Sequence, residues 1–333
     1  MEQSTRVFEV GAKWDQQVKH LVGTGFVKSL AISPDGRHIA AAFEPWGAAL
    51  WDLDGNRLAI GDRVDRVNDL AFSPDGKYLA TAESGAAHVW RSDTGAKVAE
   101  LSGQDLRAVS FSRDCASLAA AGGAGVTVWD WKSGREAAHS PFQIGLGAAI
   151  LSPGGYYMAQ SNGFRVDVYE VATRHQLART PQEQNTSILA FSASGNLLAT
   201  ATWSETAARV WQTRGAAPVA KLRQDDEVEG LAFSPNERYL ATASSNTTIA
   251  WDLTQQRPVA RVKQAGRVGA VGFSSDGKYL VSGSSDGTIA FSIWRPDDLV
   301  QEACRHLFGN LNGDQWKQFF GGEPYRKTCQ NLP

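Results

Sequence analysis

Ala71-Phe72-Ser73-Pro74-Asp75-Gly76-Lys77-Tyr78-Leu79-Ala80-Thr81-Ala82 is one copy of a phrase that runs through the chain. Ala31-Ile32-Ser33-Pro34-Asp35-Gly36 opens another copy, and variants follow with their serines at Ser112, Ser152, Ser192, Ser234 and Ser274. Successive serines lie 40, 39, 40, 40, 42 and 40 residues apart. Before each serine, apolar residues two apart, such as Leu70 with Phe72 and Leu231 with Phe233, share one face of a strand. Between them stand small residues, Ala31, Ala71, Ser110, Ala190, Ala232 and Gly272, with Ile150 the exception, which implies close approach of a neighbouring sheet. Pro-Asp-Gly then turns the chain, Pro fixing φ and Gly permitting a positive one. A second strand follows, as in Tyr239-Leu240-Ala241-Thr242-Ala243, and a third ends in Trp51, Trp90, Trp129, Tyr169, Trp211, Trp251 or Phe291. A fourth reads Val98 to Leu101, Val219 to Leu222 and Val259 to Val262.

A period near 40 built from strands and turns, with no 3.6-residue spacing from 15 to 294, belongs to propellers rather than helical arrays. Four strands apolar on both faces must be covered on both sides, and a ring of seven covers them all. The predicted fold is therefore all-β: a seven-bladed β-propeller of four-stranded antiparallel blades over 15–294. Blade seven supplies three strands from 268 to 291, so its fourth comes from the amino-terminal side, with residues 15–22 pairing against 287–291. Closure removes an exposed edge. Residues 1–14 form a leader in which Arg6-Val7-Phe8-Glu9-Val10 looks like the end of a third strand. It is either the remnant of a longer chain or a strand laid outside blade seven.

The repeats resemble those of the WD-repeat propeller family, with Trp-Asp at Trp51-Asp52, Trp129-Asp130 and Trp251-Asp252. Ten residues before each serine, where the family usually carries histidine, stand Gly23, Arg63, Ser102, Phe142, Gln182, Gln224 and Gln264. The family's buried network of histidine, serine, tryptophan and aspartate is expected to be missing, with only Asp286 at the aspartate position and blade cohesion left to apolar packing.

After Trp294 the period changes. Residues 295–333 are expected to form a small α-helical cap packed on the propeller. One helix opens at Asp297-Asp298 with Leu299, Val300, Ala303, Cys304, Leu307 and Phe308 on one side, and a second follows the Asn312-Gly313-Asp314-Gln315 cap before Trp316, Phe319 and Phe320. This stretch resembles the tail of bacterial WD-repeat proteins whose upstream portion is a STAND-type signalling NTPase or a protease-like effector. The resemblance implies a carboxy-terminal sensing or interaction module. Cys304 and Cys329 can close a disulfide, but a reducing cytosol favours two buried thiols.

Composition narrows the chemistry. With 33 basic against 35 acidic residues the chain lacks the charge that general nucleic-acid or membrane-surface binding requires. The amino terminus carries no signal-peptide pattern and no apolar run reaches a membrane-spanning length, so a cytoplasmic, monomeric domain is expected. Gly283-Ser284-Ser285-Asp286-Gly287 matches a hydrolase elbow string but has strands on both sides. No phosphate loop occurs. The six histidines share no repeat position, His306 beside the two cysteines makes a poor zinc site, and Asp225, Asp226, Glu227 and Glu229 lack the alternation of a calcium loop. Cys115 replaces a turn glycine. No catalytic, cofactor or metal residue emerges.

What remains is aromatic residues at loop positions that do not repeat: Trp46, Trp203 and Phe164, all between second and third strands. Arg66, Asp105, Glu227 and Arg267, just before first strands, should border the same rim. Loops on a rigid ring can vary while strands cannot, and interface hot spots favour Trp, Tyr and Arg. The sequence thus points to a non-catalytic scaffold or sensor binding a protein, or another domain of its parent, through this rim. The alternatives are a propeller enzyme with a central-channel site, for which Lys28, Asn68, Arg107, Gly147, Ser187, Glu229 and Gly269 show no constellation, and a structural or oligomerisation tail.

Overall fold

Among the described residues, seven four-stranded antiparallel sheets account for every strand, six built from consecutive strands and the seventh from both ends of the repeat region. The computed structural model describes residues 21–22, 25–44, 47–52, 54–58, 60, 66–141, 148–162, 164–182, 186–202 and 205–306, with 310, 312–314, 317, 324, 327 and 329 beyond. The chain divides into two compact units at 292/293.

Blades one to five span 26–58, 67–102, 108–140, 149–181 and 186–223. Blade six is representative, with strands Gly230–Phe233, Tyr239–Ser244, Thr247–Asp252 and Arg257–Lys263. Blade seven takes Val268–Phe273, Tyr279–Ser284 and Thr288–Ile293 and is completed by Leu21–Val22, with Leu21 opposite Ile289 and Val22 opposite Thr288. The chain's first described strand thus seals its last blade. Residues 15–20 of the expected closing segment, and Arg6 to Val10, lie outside the described residues. Gly283 to Gly287 is a hairpin turn, the Gly287 N–H donating to the Ser284 carbonyl at 3.1 Å.

The phrase serine has a structural task. Ser73 Oγ donates to Asp75 Oδ1 at 2.6 Å and accepts the Tyr78 N–H at 3.0 Å, tying the turn to the start of the second strand. The same arrangement recurs at Ser33, Ser112 and Ser274. Cys115 and Glu237 stand at the glycine position of that turn with φ of 58° and 57°, a left-handed backbone that glycine adopts without strain.

Core clusters lie between blades. One joins Val27, Ile39 and Trp51 of blade one with Ala270, Val281 and Ile289 of blade seven. Another joins Val210 and Leu222 of blade five with Leu240, Ile249 and Trp251 of blade six. The small residues of the first strands permit this approach: a Cβ on Gly272 would meet Leu30 at 3.3 Å.

Cohesion does not rest on apolar packing alone, which corrects the expectation from the missing histidines. In blade six Trp251 Nε1 donates to Thr242 Oγ1 at 3.0 Å, and Thr242 Oγ1 donates to Gln224 Oε1 at 2.6 Å. Blade five repeats the relay through Trp211, Thr200 and Gln182, and in blade seven Gln264 reaches Ser282. A glutamine amide offers both an acceptor and donors, so it can close the relay from the position where histidine was expected. Blade two solves the problem differently: Trp90 Nε1 donates to Thr81, Thr81 donates to buried Glu83, and His88 Nδ1 meets the same carboxylate at 2.8 Å.

In the second unit, Pro296–His306 is an α-helix with Asp297 and Asp298 in its first turn, where carboxylates complement the helix dipole. Of the second expected helix, Gly313, Asp314 and Lys317 are helical, and Asn312 Oδ1 accepts the Asp314 N–H at 3.1 Å as a cap. Cys304 and Cys329 form a disulfide, not the two thiols expected from a reducing compartment. Among the described residues no helix is long and apolar enough to cross a membrane.

Candidate functional site: the rim of second-to-third-strand loops

Among the described residues, several connections into first strands are clasped by the loops beside them. Asp105 N–H donates to the Ser84 carbonyl at 2.6 Å, and Gly123 N–H to the Gln104 carbonyl at 2.9 Å, so the approach to blade three lies between the second-to-third-strand loops of blades two and three. Gln182 N–H donates to the Phe164 carbonyl at 2.8 Å, and Ser285 N–H to the Arg267 carbonyl at 2.7 Å. These bonds put Phe164, Asp105 and Arg267 on one rim, with their backbones held.

Trp46 and Trp203 lie outside the described residues; their flanks are Glu44, Gly47, Thr202 and Glu205. Glu205 pairs with Arg209 across two mostly buried side chains at the base of the Trp203 loop. Phe164 is 67% exposed, the most exposed large apolar side chain among the described residues. Arg66 lies 3.7 Å from Glu44, Asp105 pairs with Arg107 at 2.6 Å, Arg267 pairs with Glu229 at 2.7 Å, and Glu227 is exposed close enough to add its field to Arg267.

Charged residues that the sequence left without a pattern are organised here. Lys28 of blade one meets Glu44 at 3.6 Å, and Arg107 and Glu229 are paired as above, so three of the seven first-strand positions join the rim charges. Asp69 was missed entirely. The bulge between Val67 and Asp69 breaks the strand's alternation and turns Asp69 toward blade three, where it accepts the Val109 N–H at 3.0 Å beside that of Leu70 at 2.9 Å. A lone aspartate within Val67-Asn68-Asp69-Leu70-Ala71-Phe72 was the available signal. Of the acidic run after blade five, Asp225 pairs with Arg261 and Glu229 with Arg267. Among the described residues no group of three His, Cys, Asp or Glu side chains could hold a metal ion.

Burial pushes the Asp69 carboxyl up from 3.8 to about 6, and the hydrogen bond that the His88 ring donates to the Glu83 carboxylate raises His88 above 6.5. Both folded values exceed the unfolded ones, so in both cases protonation favours the fold. The Asp69 contribution is complete below 3.8 and lost as pH rises through about 6; that of His88 is complete below 6.5 and lost above it. Melting temperature should therefore rise as pH is lowered from about 7.5 to about 5.5, and Asp69→Asn should flatten the acid half of that change. Melting curves of both proteins across that range check it; identical profiles would remove Asp69 from the account.

The WD40 model, described as "WD domain, G-beta repeat", matches residues 46–91, 217–252 and 257–291. The chain carries WD40 repeats. Among solved structures, "Structure of U3-55K" superposes with a TM-score of 0.72 at 16% sequence identity, covering 82% of this chain and 98% of that one, a likeness of fold. No curated protein gives a significant match. The matches cover the blades with Trp90, Trp251 and Phe291, reach only the later strands of blades one and five, and leave blades three and four unmatched.

Proposed function

We propose that this WD40 propeller is a non-catalytic protein-interaction scaffold or sensor that binds its partner through the rim bearing Trp46, Trp203 and Phe164, bordered by Arg66, Asp105, Glu227 and Arg267. WD40 propellers commonly serve as interaction scaffolds. The observation that carries the reading is Phe164, two-thirds exposed on a backbone fixed by Gln182. A pre-positioned exposed aromatic contributes contact area while losing little freedom on binding. The resemblance of residues 295–333 to the tails of bacterial signalling proteins supports placing the propeller in a larger cytoplasmic signalling chain, with the partner either another protein or an upstream domain.

The test uses a photo-activatable cross-linking residue placed at Phe164 and, as a control, at Asp114, in the turn between the first and second strands of blade three. One shared protein adduct at Phe164, absent at Asp114 and lost when Trp46 and Trp203 are both replaced by alanine at unchanged melting temperature, is the expected result. Equal adducts at the two positions, or an adduct indifferent to both tryptophans, would remove the rim from the reading.

A further inference from the structure

We propose that the notch between blades one and two takes an acidic side chain of the partner protein, held by Lys28 and Arg66 and guarded by Glu44. The proposal rests on the rim being the binding face and names the chemistry it selects.

Lys28 Nζ and Arg66 Nη2 converge on the same oxygen, Glu44 Oε1, at 3.6 and 3.7 Å. Both distances exceed the roughly 2.7–2.9 Å of a charge-assisted hydrogen bond. Elsewhere on the rim the pairs are closed: Arg107 to Asp105 at 2.6 Å and Arg267 to Glu229 at 2.7 Å. Among the described residues of the notch, then, two cations share one loosely held carboxylate.

The next carboxylate among the described residues does not make up the difference. Asp69 acts on Lys28 at longer range, but its oxygens are engaged by the backbone N–H groups of Leu70 and Val109, and burial raises it to about 6. Lys28 is itself held below its ordinary value, first by burial and next by the nearby Arg66 charge. An incoming anion would relieve that repulsion in a partly dry site, where charge pairing is stronger than in bulk water.

The notch is also reachable. Arg66 is 58% exposed and Glu44 43%, while Lys28, at 28%, forms the floor. Glu44 is the last residue of its strand, so moving its side chain disturbs no core packing. The present occupant being a carboxylate, a glutamate or aspartate from a partner can replace it one for one. Glu44 then acts as an internal competitor that sets a threshold for binding.

The experiment titrates fluorescein-labelled hexaglutamate and hexaglutamine peptides into the full chain and reads fluorescence anisotropy at low and at physiological salt. Lys28→Gln, Arg66→Gln and Glu44→Gln are compared, with melting curves to confirm folding. Hexaglutamate alone should bind, Arg66→Gln should weaken it about tenfold, and Glu44→Gln should tighten it several-fold. The gain in Glu44→Gln matters most, because a variant that merely misfolds cannot produce it. No hexaglutamate binding, or a Glu44→Gln variant that binds no better than the parent, overturns the proposal. Inorganic phosphate binding with the same dependence on Arg66, in the absence of hexaglutamate binding, also overturns it by assigning the notch to a free anion. If the notch variants change nothing while the Trp46 and Trp203 replacements still abolish the Phe164 adduct, the notch fails and the rim reading stands.

Discussion

Trp251→Ala is expected to lower the unfolding free energy of the propeller by about 3–5 kcal/mol. Trp251 is 4% exposed and belongs to the cluster that joins blades five and six, so its loss opens a cavity at a blade interface that neither neighbour can fill alone. It also removes the donor to Thr242 Oγ1, at the head of the relay ending on Gln224. Trp251→Phe separates the two contributions: it keeps most of the apolar bulk and deletes the N–H, so its cost should be about 1 kcal/mol. Blade seven carries Phe291 at the equivalent position, which shows that the packing site accepts a phenyl ring. Urea titrations of the two variants check the prediction. A Trp251→Ala loss below about 1 kcal/mol would mean that the interface relaxes and that the recurrent aromatics are not what binds blade to blade.

Cys329→Ser is the second large effect, confined to the carboxy-terminal unit. The disulfide joins residues 25 apart in sequence with Cα atoms 5.4 Å apart. By loop-closure entropy its removal should cost that unit about 3 kcal/mol. The Asn310 amide grips the Cys329 backbone from both sides, donating to its carbonyl and accepting its N–H, each at 2.8 Å. Serine leaves that grip intact, so the loss reports the cross-link alone. Limited proteolysis between 305 and 328 should accelerate in the variant, and equally in the parent once reductant is added. An unchanged cleavage rate with reductant would assign the unit's stability to Asn310 and its apolar contacts instead.

The fold was legible because turn, alternation and terminal aromatic agreed in every unit: Ser73 to Gly76 and Trp90 carry the same information that Ser234 and Trp251 repeat 161 residues on. The polar relays were not legible, because Gln182, Gln224 and Gln264 were compared with histidine by identity. Compared by hydrogen-bonding capacity, an amide beside a strand threonine or serine would have been recognised as a substitute. Asp69 escaped for a different reason, since a bulge shifts the in-and-out alternation by one residue and strict period-two reading then assigns the wrong face. The ion pairs of Lys28 and Glu229 involve partners 16 and 38 residues away, a separation that sequence spacing does not rank. The disulfide was set aside on grounds of compartment, which says whether thiols survive and nothing about whether Cys304 and Cys329 meet. Of the rim aromatics, Phe164 could be placed on its loop; Trp46 and Trp203 enter the account through their sequence positions alone.

The rim is one continuous face only if Leu21–Val22 closes the ring, since an open blade seven would splay the loops of blades one, two and seven apart. The direct measurement is an oxidative cross-link between Leu21→Cys and Ile289→Cys, residues placed opposite each other in the sealing pair. Directly opposed antiparallel residues have Cα atoms about 4.5–5.5 Å apart, within reach of a disulfide. Peptide mapping of the oxidised protein should show that bond within single chains, together with a higher melting temperature than the reduced form. Absence of the bond, or its appearance only between two chains, would contradict closure by residues 21 and 22.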